Sequence, residues 1–229
     1  MASGVIFKLA AHCVYELWYE NVASVLDPEN SLNAELHAII SAMKPLATWS
    51  SIQGIQECRE LLGGFGFSQY NRIGFLRDDN DVNVTWEGDN NVLIQQTSRF
   101  LLESFRHLSK GKKIPYQSLE FLEVNFQTKK CALKNKKELI KTENIIKFYE
   151  YKLNMVMNIS MKALHDNLGK FPDMFDAWNH TQIFYLRNAA ITYGELFVLK
   201  ESFKSIKRVA HKPTRVIKFV FLFILNNFF

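Results

Sequence analysis

Apolar residues recur at helical spacing through most of the chain. Ile6, Leu9, Cys13, Leu17 and Val22 form one such line across residues 5–26, and Asp27-Pro28 breaks it. Ser31 is placed to cap a second helix, with Leu32, Leu36, Ile39, Ile40 and Met43 as its stripe. That pattern continues to Leu61-Leu62, with Pro45 inside it predicting a kink or a local restart, until Gly63-Gly64 ends it. A helix resumes near Asn90, with Val92, Leu93, Gln96, Phe100 and Leu101 in period. After a short basic linker at 111–115, helices are predicted over 117–133 and 136–168. The second carries Leu139, Ile146, Tyr149, Leu153, Val156, Met161 and Leu164 as a bundle-type stripe. The last, about 175–209, is apolar on two sides, through Ile183, Leu186, Ala190 and Phe197 and through Phe184, Ile191 and Val198. Such a helix is buried between neighbours. The predicted fold class is all-α, with no internal repeat and no sheet beyond two short strands. Two helical domains are expected, 1–110 supplying part of a four-helix bundle and 111–215 packed against it, followed by an apolar tail, 216–229.

Residues 63–88 differ in kind. Gly63, Gly64, Gly66, Gly74 and Gly88 are five of the chain's ten glycines, and Asp78, Asp79, Asn80, Asp81 and Asn83 favour turns. A long loop is predicted, and ordered loops of that length are usually functional. By itself, Gly63-Gly64-Phe65-Gly66-Phe67 reads as a helix C-cap and a turn; its sharper reading is backbone left bare to approach a flat or anionic cofactor. It matches neither GxGxxG nor a phosphate-binding loop. Trp86-Glu87-Gly88 is either an exposed loop glutamate or a base held against an aromatic wall, with the pKa raised to suit proton abstraction.

Composition narrows the class. At 48% apolar and 22% charged over 229 residues the chain is a folded protein, not a disordered one. Nineteen Phe point to a large core, or to a broad apolar surface offered to another part of a bigger protein. The net charge of +5 is concentrated in residues 106–152, which hold 12 Lys or Arg against 5 Asp or Glu. Apolar residues interrupt these lysines at helical spacing and no reading motif is present, which favours a solvated helix face over nucleic-acid binding. Cys13, Cys58 and Cys131 form no CxxC pair, so neither a disulfide scaffold nor a metal site is predicted, and a reducing compartment fits. Lys8 and His12 break the first apolar run, unlike a secretory signal, and the tail is too short to cross a bilayer as a helix.

Residues 53–102 read QGIQECRELLGGFGFSQYNRIGFLRDDNDVNVTWEGDNNVLIQQTSRFLL. This closely resembles the C-terminal helical region of the peroxisomal acyl-CoA oxidases, flavoenzymes related to the acyl-CoA dehydrogenases. The CRE-xx-GGxGF block, the RDDND run, the (W/Y)EGDN block and the QQT-(S/A)-R helix come in the family's order and spacing. Leu36-His37-Ala38 and Lys44-Pro45-Leu46-Ala47 extend the likeness upstream, and Trp178-Asn179 and Tyr193-Gly194-Glu195 resemble a later helix. The likeness covers most of the chain and is strongest over 31–102.

The resemblance implies that Glu87 is the catalytic base, taking the pro-R α-proton of a fatty acyl-CoA while the β-hydrogen leaves as hydride to the flavin of FAD. Electrons then pass to O2, giving H2O2 and trans-2-enoyl-CoA. It also implies that Gly63, Gly64, Gly66 and Phe67 approach the FAD, that Asp89 and Asn91 lie near it, and that Trp86 and Gly88 flank the substrate. Asp89 stands where the dehydrogenases have threonine. Phe65 replaces a usual His or small polar residue, and Val82 replaces a frequent Pro. A homodimer acting in peroxisomal fatty-acid β-oxidation follows from the same likeness. The family's N-terminal helical domain and central β-domain, which bind much of the FAD and acyl-CoA, have no counterpart here. A fragment is therefore expected, with Glu87 facing a cleft shared with the Gly63 turn and more exposed than in a complete enzyme. Asn227-Phe228-Phe229 is not the Ser-Lys-Leu type of peroxisomal signal. The alternative is a catalytically inactive helical interaction module derived from such an oxidase.

Overall fold

The computed structural model describes residues 2–22, 30–125 and 142–209. The Asp27-Pro28 break, Cys131, Leu139, parts of the helices expected over 117–133 and 136–168, and the 216–229 tail lie outside them. Among the described residues the fold is helical throughout, with no strand. No described helix is long and apolar enough to cross a membrane.

Helix α1 (Ala2–Glu20) turns Ile6, Ala10 and Val14 into the core. The expected line through Leu9, Cys13 and Leu17 is only partly buried, and Val22 is exposed. Position outweighs size here: small Ala10 sits on the seam, where a close-packed neighbour leaves no room for a longer side chain. Helix α2 (Ser31–Leu61) is capped by Asn30, not Ser31; the Asn30 side chain accepts from the Leu32 amide at 2.8 Å. It runs unbroken through Pro45 instead of restarting there. Leu36, Ala38, Ile39, Ala42 and Met43 hold this stretch in the core, so packing compensates the hydrogen bond that proline removes. Ile40, expected in the stripe, is 51% exposed, because the buried arc lies on its other side.

The predicted long loop is mostly folded. A 3-10 turn, Gly63–Phe67, and a second, Gln69–Asn71, lead into helix α3 (Ile73–Asp81) and a further 3-10 turn, Val82–Val84. The acidic run that suggested turns therefore sits in a helix, started by the Asn71 side chain accepting from the Ile73 amide at 2.8 Å and docked on α2. Helix α4 (Asn90–Ser109) buries Ile94, Leu101, Leu102 and Phe105, while Val92 points outward. Thr97 and Ser98 donate their hydroxyl protons to the carbonyls of Ala38 (2.9 Å) and Leu186 (3.1 Å), tying α4 to two neighbours.

Beyond Gly111 the chain forms a 3-10 turn, Gln117–Leu119, helix α5 (Phe121–Asn125) and helix α6 (Thr142–Leu168). The single helix expected over 175–209 is three pieces: α7 (Met174–Thr181), a π-turn (Gln182–Leu186) and α8 (Arg187–Val209). The π-turn inserts an extra residue and shifts the register, so Ile183 (58%) and Phe184 (66%) face outward while Leu186 is buried. Helix α8 is the one buried between neighbours. It packs on α1, α2, α4 and α6 through Ala189, Ala190, Tyr193, Leu196, Val198 and Leu199. Gly194 lets it close on α2: a Cβ there would lie 2.7 Å from Leu46 Cδ1 and 3.0 Å from the Ala42 Cβ. Glu35 of α2, also buried, accepts from the Ser118 amide at 2.5 Å, and the Ser118 hydroxyl meets the Tyr193 hydroxyl at 2.8 Å.

Candidate active site

The glycines of the Gly63–Phe67 turn do three different things. Gly63 has φ 56 and takes the left-handed position just past the C-terminus of α2, the usual place for a glycine there. Gly66 is buried, and a Cβ on it would fall 1.9 Å from the Arg59 carbonyl oxygen, so its bareness is used by the backbone of α2. Gly64 alone is open, with no atom within 4 Å of a built Cβ and no left-handed φ. Phe67 is 86% exposed and Phe65 is also outward-facing. Asn71 closes the turn by donating its side-chain amide to the Phe65 carbonyl.

The Trp86–Asn90 turn rests against the middle of α2. Trp86 Nε1 donates to Asn83 Oδ1 at 2.8 Å, which fixes the ring while leaving 55% of the residue exposed. Glu87 is exposed and has φ 53, an uncommon conformation for a residue with a Cβ; Gly88 follows at φ 101. Gly88 suits its place chiefly through that φ, and a Cβ would also press on the Leu93 side chain at 3.0 Å. Asp89 is the N-cap of α4, accepting from the amides of Asn91 (2.9 Å) and Val92 (3.3 Å). Those amides are therefore occupied, whereas the Asn91 side chain is exposed beside them.

Several residues that hold this turn carry no such role in the sequence reading, although Lys44 and Asn90 fall within its matched blocks. Lys44 Nζ donates to the Gly88 carbonyl (2.7 Å) and to Asn90 Oδ1 (2.8 Å). Asn90, 1% exposed, donates to Thr48 Oγ1 at 2.9 Å. Burial pulls the Lys44 ammonium below the ordinary lysine range, while the nearby Asp89 and Glu87 carboxylates push it back up. Lys44, Thr48 and Ser51 at i, i+4 and i+7 form a polar stripe on α2, and that stripe was the available signal.

Along α2 the two candidate features are spaced apart: the Glu87 turn lies against 44–51 and the glycine turn follows Leu61, roughly 15 Å further along the axis. Between and around them Leu61, Phe65, Phe67, Tyr70, Phe75, Leu76 and Trp86 are exposed. A cavity of about 1020 Å3 lies elsewhere, beside Glu35, Ser118 and Tyr193, and another of about 500 Å3 beside Arg99, Arg106 and Trp178. Neither is lined by a candidate site residue. Among the described residues no group of three His, Cys, Asp or Glu side chains is placed to hold a metal ion.

The family model described as acyl-CoA oxidase, C-alpha1 domain, matches residues 1–102, and the model described as acyl-CoA oxidase matches 141–228. Human peroxisomal acyl-coenzyme A oxidase 3 is 34% identical over 188 residues, which cover 80% of this chain and 27% of that protein. Arabidopsis thaliana acyl-CoA oxidase 1 has the same fold, with a TM-score of 0.85 at 21% identity over 98% of this chain and 34% of that one. Acyl-CoA oxidase-1 of Caenorhabditis elegans, complexed with FAD and ATP, gives 0.77 at 20% identity over 93% of this chain and 31% of that one. The chain thus spans between 27% and 34% of the length of these three relatives. With both helical segments matched in order and a relative 34% identical over 80% of this chain, the chain belongs to the acyl-CoA oxidase family, whose C-terminal helical region it carries.

Proposed function

We propose that this chain supplies the catalytic base and part of the FAD-binding surface of an acyl-CoA oxidase. The complete site converts fatty acyl-CoA to trans-2-enoyl-CoA and reduces O2 to H2O2, in peroxisomal fatty-acid β-oxidation. The observation that carries this reading is Glu87: an outward-facing carboxylate in a left-handed conformation, tied down on both sides, within a segment matched by the family's C-alpha1 model. Backbone strain of this sort persists only where the surroundings enforce it, and it concentrates at functional sites.

The residues present fit FAD. Gly64 offers open backbone that a flat cofactor can approach, Phe67 offers an exposed ring beside it, and Asn91 an unburied side-chain amide. Gly63, Gly66 and Asp89 serve the same surface by shaping it, since their own geometry is taken up by the end of α2 and the start of α4. FAD, when bound, supplies the redox chemistry. Glu87 takes the α-proton of the thioester, a transfer that needs a carboxylate within hydrogen-bond reach of one face of the acyl chain. Gly88 serves this transfer by its positive φ, which carries the chain from Glu87 into α4, and the Trp86 ring, held by Asn83, supplies the exposed apolar surface next to Glu87 in the chain. The exposed apolar side chains of 61–86 are the surface that the remaining segments of an oxidase, or the second subunit of a homodimer, cover.

Two measurements test this. The purified chain, supplied with FAD and acyl-CoA, is examined for bound flavin absorbance and acyl-CoA-dependent peroxide; an inactive interaction module shows neither. In an intact oxidase carrying this region, Glu87→Gln is expected to keep FAD and acyl-CoA binding and to lower turnover about 10²-fold or more. Near-normal turnover of that variant overturns the assignment of the base.

A further inference from the structure

Glu87 and Gly88 stand side by side in left-handed conformations, φ 53 and φ 101, and only the second residue is a glycine. Glutamate adopts such a backbone when neighbouring contacts over-determine it. Those contacts lie on both sides. Upstream, Trp86 Nε1 donates to Asn83 Oδ1, Asn83 Nδ2 donates to the Asn80 carbonyl at 3.0 Å, and Asn80 Oδ1 accepts from Ser51 Oγ at 3.1 Å. Downstream, Lys44 Nζ holds the Gly88 carbonyl at 2.7 Å and Asn90 Oδ1 at 2.8 Å. The circuit then closes on α2: Asn90 Nδ2 donates to Thr48 Oγ1, and Thr48 Oγ1 donates to the Lys44 carbonyl, each at 2.9 Å.

Both ends of the turn are therefore anchored to one stripe of α2, Lys44–Thr48–Ser51, two helical turns long. The upstream anchor is made of neutral groups and stops at Trp86, whose ring is held by Asn83 and whose amide is held by the Val82 carbonyl. The downstream anchor is charged and grips the carbonyl of the residue next to Glu87. A charged donor makes the stronger hydrogen bond, and the second group it holds, Asn90, is almost fully buried and so gives the grip a fixed point in the protein.

We infer that Lys44 is the positioning residue for Glu87: by gripping the Gly88 carbonyl and the Asn90 side chain, it keeps Glu87 left-handed, carboxylate outward, with a fixed positive charge behind it. The inference rests on Glu87 being the base, but the backbone part of it can be tested without turnover. Lys44 Nζ donates to the Gly88 carbonyl and to Asn90, and through them it acts on Glu87.

The test uses the full chain with Lys44→Met, which keeps the aliphatic stem and removes the donor, and Lys44→Arg, which restores both donors. Lys44→Met is expected to move the backbone NMR shifts of Glu87 and Gly88 off their left-handed values and to speed amide exchange over 86–92 about tenfold. The core methyl signals of Ile39 and Leu101 stay in place, and Lys44→Arg returns the turn signals toward the parent. Should Lys44→Met disturb the core, Thr48→Val gives the milder reading, a smaller shift of the same signals with the core intact. Unmoved Glu87 and Gly88 signals in the folded variants overturn the inference.

In an intact oxidase carrying this region, Lys44→Met is expected to lower kcat on the order of tenfold with KM nearly constant, with recovery in Lys44→Arg. Equal loss in kcat and recovery in neither variant overturns the positioning role. If Glu87→Gln there keeps its turnover, the reading of Glu87 as base fails, while the NMR result still decides what Lys44 holds.

Discussion

Gly66 lies so close to Arg59 that a Cβ on it would sit 1.9 Å from the Arg59 carbonyl oxygen. The opposing atom belongs to the backbone of α2 and cannot swing aside as a flexible side chain can. Gly66→Ala is therefore expected to lift the turn off α2 or to strain the last turn of that helix. The cost is about 3 kcal/mol or more, at the upper end for overpacking. Urea denaturation reads the global loss, and amide exchange at Ser68, whose N–H is held by the Phe65 carbonyl at 3.0 Å, reads the local one. An alanine tolerated with both unchanged would contradict this packing.

Gly64, two residues earlier, gives the opposite expectation. No atom lies within 4 Å of a Cβ built there, and its φ is not left-handed, so Gly64→Ala should change stability by no more than about 0.5 kcal/mol. In an intact oxidase carrying this region the same methyl group should weaken FAD binding, because the open position is the one left for a ligand. A variant that binds FAD as tightly as the parent would remove Gly64 from the cofactor surface.

The contrast between these glycines shows what sequence can and cannot disclose here. Gly63 is legible, because a glycine just past an apolar helical run is the ordinary left-handed cap. The reason for Gly66 is not, since it depends on how closely a turn folds back on a carbonyl seven positions earlier. The same holds in the core. The helical class and the outlines of α2, α4 and α6 follow from periodicity, yet periodicity favours the larger Cys13 and Leu17 over Ala10, which sits on the α1 seam. Local propensity points the wrong way at 73–81, where Asp and Asn favour a loop but the Asn71 side chain, bonded to the Ile73 amide, and docking on α2 favour a helix. Lys44 was visible as part of a polar stripe, while its target, the Gly88 carbonyl, lies 44 positions away and carries no side chain to advertise it.

Asp89 caps α4 through two amides, those of Asn91 and Val92. Asp89→Ala should cost about 1 kcal/mol, the usual value of a lost N-cap, and should fray the first turn of α4. Asp89→Ser should recover most of the loss, since a hydroxyl also caps. Faster amide exchange at Asn91 and Val92 in the alanine variant, reversed in the serine variant, is the check. Loss in both variants alike would mean that the charge, not the cap, matters at this position.

Glu195 sets the last expectation, a pH dependence of stability. It is buried on α8, and one of its carboxylate oxygens lies 3.7 Å from Lys152 Nζ of α6, too far for a hydrogen bond. That oxygen has no hydrogen-bond partner. Burial pushes the carboxyl from its ordinary 4.5 up to about 7, against the downward pull of Lys152. Tyr149, on the same helix as Lys152, is pushed up as well, by burial first and by Glu195 second, so it stays neutral across this range. Between about pH 4.5 and pH 7 the folded chain keeps a proton on Glu195 that the unfolded chain has lost. Stability from this group is therefore fully present below pH 4.5, declines as pH rises through the window, and levels off above about 7. The shift corresponds to about 3 kcal/mol at most. Glu195→Gln, neutral at every pH and of nearly the same shape, should remove that decline, matching the parent near pH 4 and exceeding it at pH 8 by about 1–3 kcal/mol. Urea denaturation of both proteins at the two pH values decides it. Parallel profiles would show that the carboxyl ionises without penalty and that the gap to Lys152 is bridged in solution.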